Sequence, residues 1–177
     1  PSLLFSEFAN AYHSSPEKKN DEDPVKAYTE EMHLGMWLTG KRVEGSWAHA
    51  DEQSSFYELK AYVTNIFTRL GVNPGIVVTE SSDNNVFGKA LALKARSGKV
   101  LCEMGIVSHK LLKKMDIEQE VFYADINWDN MMRAIKKNEV LYHDICKFPS
   151  VSRDLALLLD KNVQFEQIEQ IARQTEK

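Results

Sequence analysis

Ser55-Phe56-Tyr57-Glu58 opens the stretch that most constrains what this chain can fold into. A Ser three residues ahead of a Glu is a capping box, in which hydroxyl and carboxylate satisfy the bare amides of a helix start. Phe56, Leu59, Val63, Ile66, Phe67 and Leu70 follow at helical spacing, and Gly71 ends the pattern as a left-handed cap. A helix with such an apolar stripe must lay it on a second layer. The aromatic members of the stripe read as core, not as a ligand box.

The flanking segments supply that layer. Leu3 to Tyr12 reads as a strand carrying Leu4, Phe8 and Tyr12, and Met32 to Thr39 as a second. Between them Ser14 to Pro24 is a polar loop, so the two strands form an antiparallel pair. Its Asp21-Glu22-Asp23 cluster lacks the further ligands and glycine of a calcium loop and reads as a solvated turn. Phe87 to Ala95 and Lys99 to Val107 are strands joined by Arg96-Ser97-Gly98. Ser108 caps a short helix holding Leu111, Leu112 and Met115. Val121 to Ile126 is a further strand, and Asn127 caps a helix with Met131, Met132 and Ile135. A mostly antiparallel sheet with helices against it is α+β. A second unit begins at Tyr142, giving domains 1–141 and 142–177. Of that unit the pattern contains one strand, Arg153 to Leu159, and one helix, Phe165 to Gln174.

The 177 residues suffice for one buried core plus part of another. No apolar run approaches the roughly 18 residues of a membrane span, and no signal peptide opens the chain. Cys102 and Cys146 read as reduced, packed thiols of a cytosolic protein. The net charge of -4 leaves no overall basic footprint, so any RNA contact needs a local patch or a larger assembly. Pro1 in place of Met, and a last helix without a terminator at Lys177, read as cuts in a longer protein.

Catalytic signatures are missing from the sequence. No Gly-x-Ser-x-Gly, Walker loop or dinucleotide glycine fingerprint occurs. His13, His33, His49, His109 and His143 are scattered without a second ligand at the i+3 or i+4 spacing of a metal site, so no metal centre is expected. The segment from Gly40 to His49 is different, with two glycines, three charges, Trp47 and His49 between a strand and a helix. It reads either as a connection anchored by a buried Trp47 or as an interface loop, since Trp and Arg are favoured anchors.

The run Lys147-Phe148-Pro149-Ser150-Val151-Ser152-Arg153-Asp154-Leu155-Ala156-Leu157-Leu158-Leu159-Asp160 resembles the opening of the ferredoxin-like anticodon-binding domain of the bacterial phenylalanyl-tRNA synthetase beta subunit. Leu34-Gly35-Met36-Trp37-Leu38-Thr39-Gly40, Ser55 to Lys60, and Leu101-Cys102-Glu103-Met104-Gly105-Ile106-Val107 resemble the catalytic-like module of that subunit, in the family's order. The resemblance implies a class II aminoacyl-tRNA synthetase-like antiparallel sheet with flanking helices, followed by a truncated ferredoxin-like unit. It implies a cytoplasmic subunit working with an alpha subunit in a two-alpha, two-beta ligase that uses ATP and magnesium to charge tRNA(Phe). Membrane and DNA have no part in it, and the family's editing and DNA-binding-like parts lie elsewhere.

The resemblance also implies that this module is silent and holds no cofactor itself. The alpha subunit carries a Gly-x-Gly-x-Glu-Arg signature whose arginine binds the ATP phosphates. Aligned through Gly105 to Leu112, Asp125 and Asn127 fall on the glycines, Asp129 on the glutamate and Asn130 on the arginine. Adenylyl transfer needs cations on the phosphates, and Asn130 brings none. Asp125 and Asp129 could be taken for an acid/base pair, but Asp129 fits more simply as a negative charge in a first helical turn. Trp37, Arg42, Trp47 and His49 are the subunit-interface candidates. Lys147 and Arg153 are the tRNA-contact candidates, with an Arg153–Asp154 ion pair favoured for the latter. Two rivals are a stand-alone interaction or regulatory module on the same fold, and a module that keeps a small-ligand pocket.

Overall fold

A computed structural model describes residues 2–15, 17, 24–72, 77–80, 86–95, 97–139, 142, 144–145 and 147–175. The Asp21-Glu22-Asp23 turn, Arg96, His143, Cys146 and both termini lie outside these residues. The chain divides into two compact units, Pro1–Glu139 and Val140–Lys177.

In the first unit, strands β1 (Leu3–Ser14), β2 (Tyr28–Thr39), β5 (Val77–Glu80), β6 (Phe87–Ala95), β7 (Val100–Val107) and β8 (Val121–Asn127) form one sheet. Its order is β1-β2-β8-β7-β6-β5, and every neighbouring pair is antiparallel. A small pair, β3 (Lys41–Val43) with β4 (Glu52–Gln53), stands apart from it. The expected strands and the β1–β2 pairing are present; β3, β4 and β5 are too short or irregular for period-two alternation to reveal.

Helix α1 (Phe56–Arg69) carries the predicted stripe inward, with Leu59 and Val63 fully buried. It packs with α3 (Trp128–Ile135) over one sheet face, where Leu34, Met36 and Leu38 of β2 meet Phe122, Ala124 and Ile126 of β8. Side chains alternate along each strand, so the odd-numbered residues of β2 and β8 face away from this core. The helix ends are set locally. The Ser55 hydroxyl accepts from the Glu58 amide, but the Glu58 carboxylate does not complete the capping box. It accepts from the Tyr62 hydroxyl at 2.9 Å instead. At the other end Gly71, at φ 72°, lets its amide donate to Thr68 and that of Val72 to Phe67, a Schellman closure. Ser108 stands at the N-terminus of α2 (His109–Lys114), but its hydroxyl caps nothing there.

In the second unit, α4 (Phe165–Thr175) matches the expected helix. The expected strand from Arg153 to Leu159 is not formed: these residues carry no ladder. A strand exists only through a neighbour's hydrogen bonds, and among the described residues none pairs here. Leu155, Leu157, Leu158 and Leu159 are all exposed.

Candidate functional site

Aromatic rings cover the face of the sheet turned away from α1 and α3. Trp37 stacks on Tyr123, with centroids 4.9 Å apart and 23° between the planes. Tyr123 stacks on Phe87 at 5.7 Å, and Phe5 tilts against Trp37 at 5.3 Å. The row crosses from β1 through β2 and β8 to β6, passing over β7 at Gly105, which lies opposite Tyr123. Two glycines make room for it. A Cβ at Gly105 would come 3.0 Å from Phe87 Cδ1 and nearer still to the Lys89 and Ala90 backbone. A Cβ at Gly35 would come 2.9 Å from Trp37 Cζ3. These close approaches serve the protein's own rings. Burial above all, then the Asp125 and Cys102 charges, pushes the Tyr123 phenol up to about 12. Burial likewise raises the Cys102 thiol well above its ordinary value, as suits a packed rather than a reactive cysteine.

Beside the rings the face turns acidic. Asp125, half-exposed on β8, lies opposite both Gly35 of β2 and Glu103 of β7. Its Oδ1 is 2.7 Å from His33 Nδ1. Glu31 follows on the same side of β2, and its Oε2 accepts from Asn127 Nδ2 at 2.7 Å. β2, β7 and β8 bring no lysine or arginine to the face.

The positions that the resemblance sets against the alpha-subunit signature make structural contacts. Asn127 caps α3, its Oδ1 accepting from the Asn130 amide at 2.8 Å. Asn130 Nδ2 donates to the Val100 carbonyl at 3.0 Å, which ties α3 to β7. Asp129 sits in the first turn of α3, as expected, and its Oδ2 accepts from the Met32 amide at 3.1 Å. Asp125 and Asp129 thus have different partners.

The Gly40–His49 loop is organised by a residue that sequence reading missed. Asp51 pairs with Lys41 at 2.8 Å and accepts from the Gly45 amide. The contact raises Lys41 and lowers Asp51 from their ordinary values. Trp47 is not the buried anchor of one sequence reading: it is fully exposed. Arg42 lies 3.3 Å from Glu52, and His49 is exposed. Of the four interface candidates, Arg42, Trp47 and His49 share this one loop and its strand, whereas Trp37 is half-buried in the aromatic row. In the second unit Lys147 and Arg153 are exposed, and no ion pair joins Arg153 to Asp154.

The architecture has a known counterpart. Pyrrolysyl-tRNA synthetase from Desulfitobacterium hafniense superposes with a TM-score of 0.51 at 12% identity, over 76% of this chain and 42% of that one. The sheet and its helices are therefore a tRNA synthetase fold. Residues 2–128 match the family described as the phenylalanyl-tRNA synthetase beta chain CLM domain, and the chain belongs to that family. It is 52% identical over 175 residues to the phenylalanine-tRNA ligase beta subunit of Bacteroides fragilis, covering 99% of this chain and 21% of that protein. The corresponding subunit of Porphyromonas gingivalis is 42% identical over 176 residues, 99% of this chain and 22% of the relative. The chain thus spans about a fifth of the length of these relatives. Among the described residues no helix is long and apolar enough to cross a membrane.

Proposed function

We propose that this chain is a non-catalytic module of a phenylalanine-tRNA ligase beta subunit. Its work is architectural: it braces the alpha subunit, contributes to a two-alpha, two-beta assembly and helps position tRNA(Phe) in the cytoplasm. The ATP and magnesium of aminoacylation belong to the whole enzyme, because the residues here do not fit them. One observation carries this reading. The face that would cradle adenosine is covered by the Trp37–Tyr123–Phe87 row and bordered by Asp125, Glu103 and Glu31. A nucleotide would have to displace the stacked rings.

The interface reading falls on the loop of Arg42, Trp47 and His49, because an exposed indole on a loop held by Asp51 is an anchor without a pocket of its own. Residues 142–177 fit the start of a ferredoxin-like anticodon-binding unit, with Lys147 and Arg153 as its RNA contacts.

Calorimetry with ATP and with phenylalanine, followed by mixing with purified alpha subunit, tests the proposal. It expects no heat from either small molecule and a stable complex with the alpha subunit that Trp47→Ala weakens. Saturable ATP binding at micromolar strength, or failure to bind the alpha subunit, would overturn it.

A further inference from the structure

We infer that the end of the β1–β2 hairpin nearest α3 carries a divalent transition-metal site built from His13, Glu31 and His33, with Asp125 as the residue that orients His33. Their candidate ligand atoms all lie within 4.8 Å of one another. The inference does not depend on the synthetase reading. Sequence spacing hides this group, because His13 belongs to a different strand. On β1 His13 lies opposite Thr29 and Ala11 opposite Glu31, so His13 is one diagonal step from Glu31. Glu31 and His33 are two apart on β2 and therefore share a face.

Preorganisation separates this group from a chance surface cluster. His33 Nδ1 is 2.7 Å from Asp125 Oδ1, which fixes the proton on Nδ1 and leaves the Nε2 lone pair as the ligand. That Nε2 faces Glu31 Oε2 at 3.6 Å. A carboxylate behind a histidine is the usual outer support of a metal-bound imidazole. The Asn127 amide holds Glu31 from the other side, and lies 3.5 Å from His33 Nε2. It keeps its Glu31 partner when an ion takes the space beside Nε2. His13 makes no hydrogen bond among the described residues and is exposed, so its ring is free to turn.

Two imidazoles and a carboxylate suit zinc, cobalt or nickel, whereas magnesium and calcium prefer shells of oxygen. Ligand atoms about 2 Å from zinc lie about 3.4 Å apart in a tetrahedron, so the group closes by roughly 1 Å, mostly through a His13 rotamer. The ion would staple the edge strand β1 to β2, leaving one coordination position for water. Two carboxylates, Glu31 and Asp125, balance its charge.

Zinc titration of the full chain against a chromophoric chelator tests the site. The expected result is one zinc per chain, lost in His13→Ala and in His33→Ala, and weakened about 10- to 100-fold in Asp125→Asn. His109→Ala should leave the affinity unchanged. Because His13 is exposed and has no partner among the described residues, His13→Ala should keep the metal-free circular dichroism and melting temperature, so its loss of binding is not a folding defect. Cobalt loading should give a visible spectrum without a sulfur charge-transfer band. Absence of saturable zinc binding, binding that survives His13→Ala, or a cobalt spectrum dominated by thiolate would each overturn the inference.

Discussion

The indole of Trp37 lies stacked on the phenol of Tyr123, with ring centroids 4.9 Å apart across the β2–β8 ladder, where the two residues are directly opposed. This pair stands at the centre of the sheet face turned away from α1 and α3. A double-mutant cycle replacing each ring by leucine should return a coupling of about 0.5 to 1.5 kcal/mol beyond the burial terms. Trp37→Ala alone should cost about 2 kcal/mol, below the range for a fully buried indole because this ring is half-buried. Denaturant unfolding measures both. The Trp37→Ala chain should still bind no ATP, since clearing a ring removes bulk but adds no cation.

Gly35 and Gly105 both leave space for aromatic rings, yet they should respond differently to alanine. At Gly35 the obstacle is the Trp37 side chain, and at Gly105 it includes the Lys89 and Ala90 backbone. Gly35→Ala should cost about 1 to 2 kcal/mol and become nearly neutral in a Trp37→Leu background. Gly105→Ala should cost about 3 kcal/mol or more and stay costly in a Phe87→Ala background, because a sheet backbone cannot swing aside. Chemical denaturation of the four variants decides between the two behaviours.

Alkaline pH should weaken the fold through Tyr123. Its folded-state value of about 12 stands above the ordinary 10.0, so the folded chain keeps the phenolic proton that the unfolded chain releases. The associated stability is whole below pH 10 and is lost as pH rises toward 12. Unfolding free energy followed between pH 9 and 12 should fall, and Tyr123→Phe should flatten that fall. An unchanged slope in the variant would show that the decline comes from other groups.

Much of the fold was legible because local signals agreed with the packing. Ser55, the apolar stripe and Gly71 fixed α1 from both ends, and the β6–β7 and β1–β2 pairings followed from strands with short or polar connections. The short β3–β4 pair, one residue of which is Glu52, was not legible, because two or three residues are too few to carry a period. The contacts of the site residues were not legible: the bond of Asn130 to Val100 depends on where β7 begins. Asp51 escaped notice because an Asp outside a charged run looks like any surface carboxylate; its partners Lys41 and Gly45 come together only when the loop closes. The reading of Arg153 to Leu159 as a strand failed for a different reason. Apolar composition gives a segment the capacity to pair but cannot supply the neighbour.

Ser55 and Leu59 separate capping from burial in α1. The Ser55 hydroxyl satisfies one amide, at Glu58, and Glu58 makes no reciprocal bond. Ser55→Ala should therefore cost about 1 kcal/mol, the loss of a single cap. Leu59 is completely enclosed by the core that joins α1 to the sheet, so Leu59→Ala should cost about 2 to 5 kcal/mol through lost contact and a residual cavity.

Amide exchange should divide the chain sharply between its helices. α1 is anchored by Leu59 and Val63, both fully buried, so its central amides should exchange only when the first unit unfolds. α4 spans 11 residues and shows Phe165 and Ile171 exposed. A helix below about 12 to 15 residues is marginal in water without tertiary support, and an Arg173–Glu169 pair at 2.8 Å adds only a few tenths of a kcal/mol. Its amides should therefore exchange orders of magnitude faster than those of α1 in a dilute sample of the chain. Protection in α4 equal to that in α1 would mean that Leu155, Leu157 and Ile171 are covered by a surface that the isolated segment cannot provide.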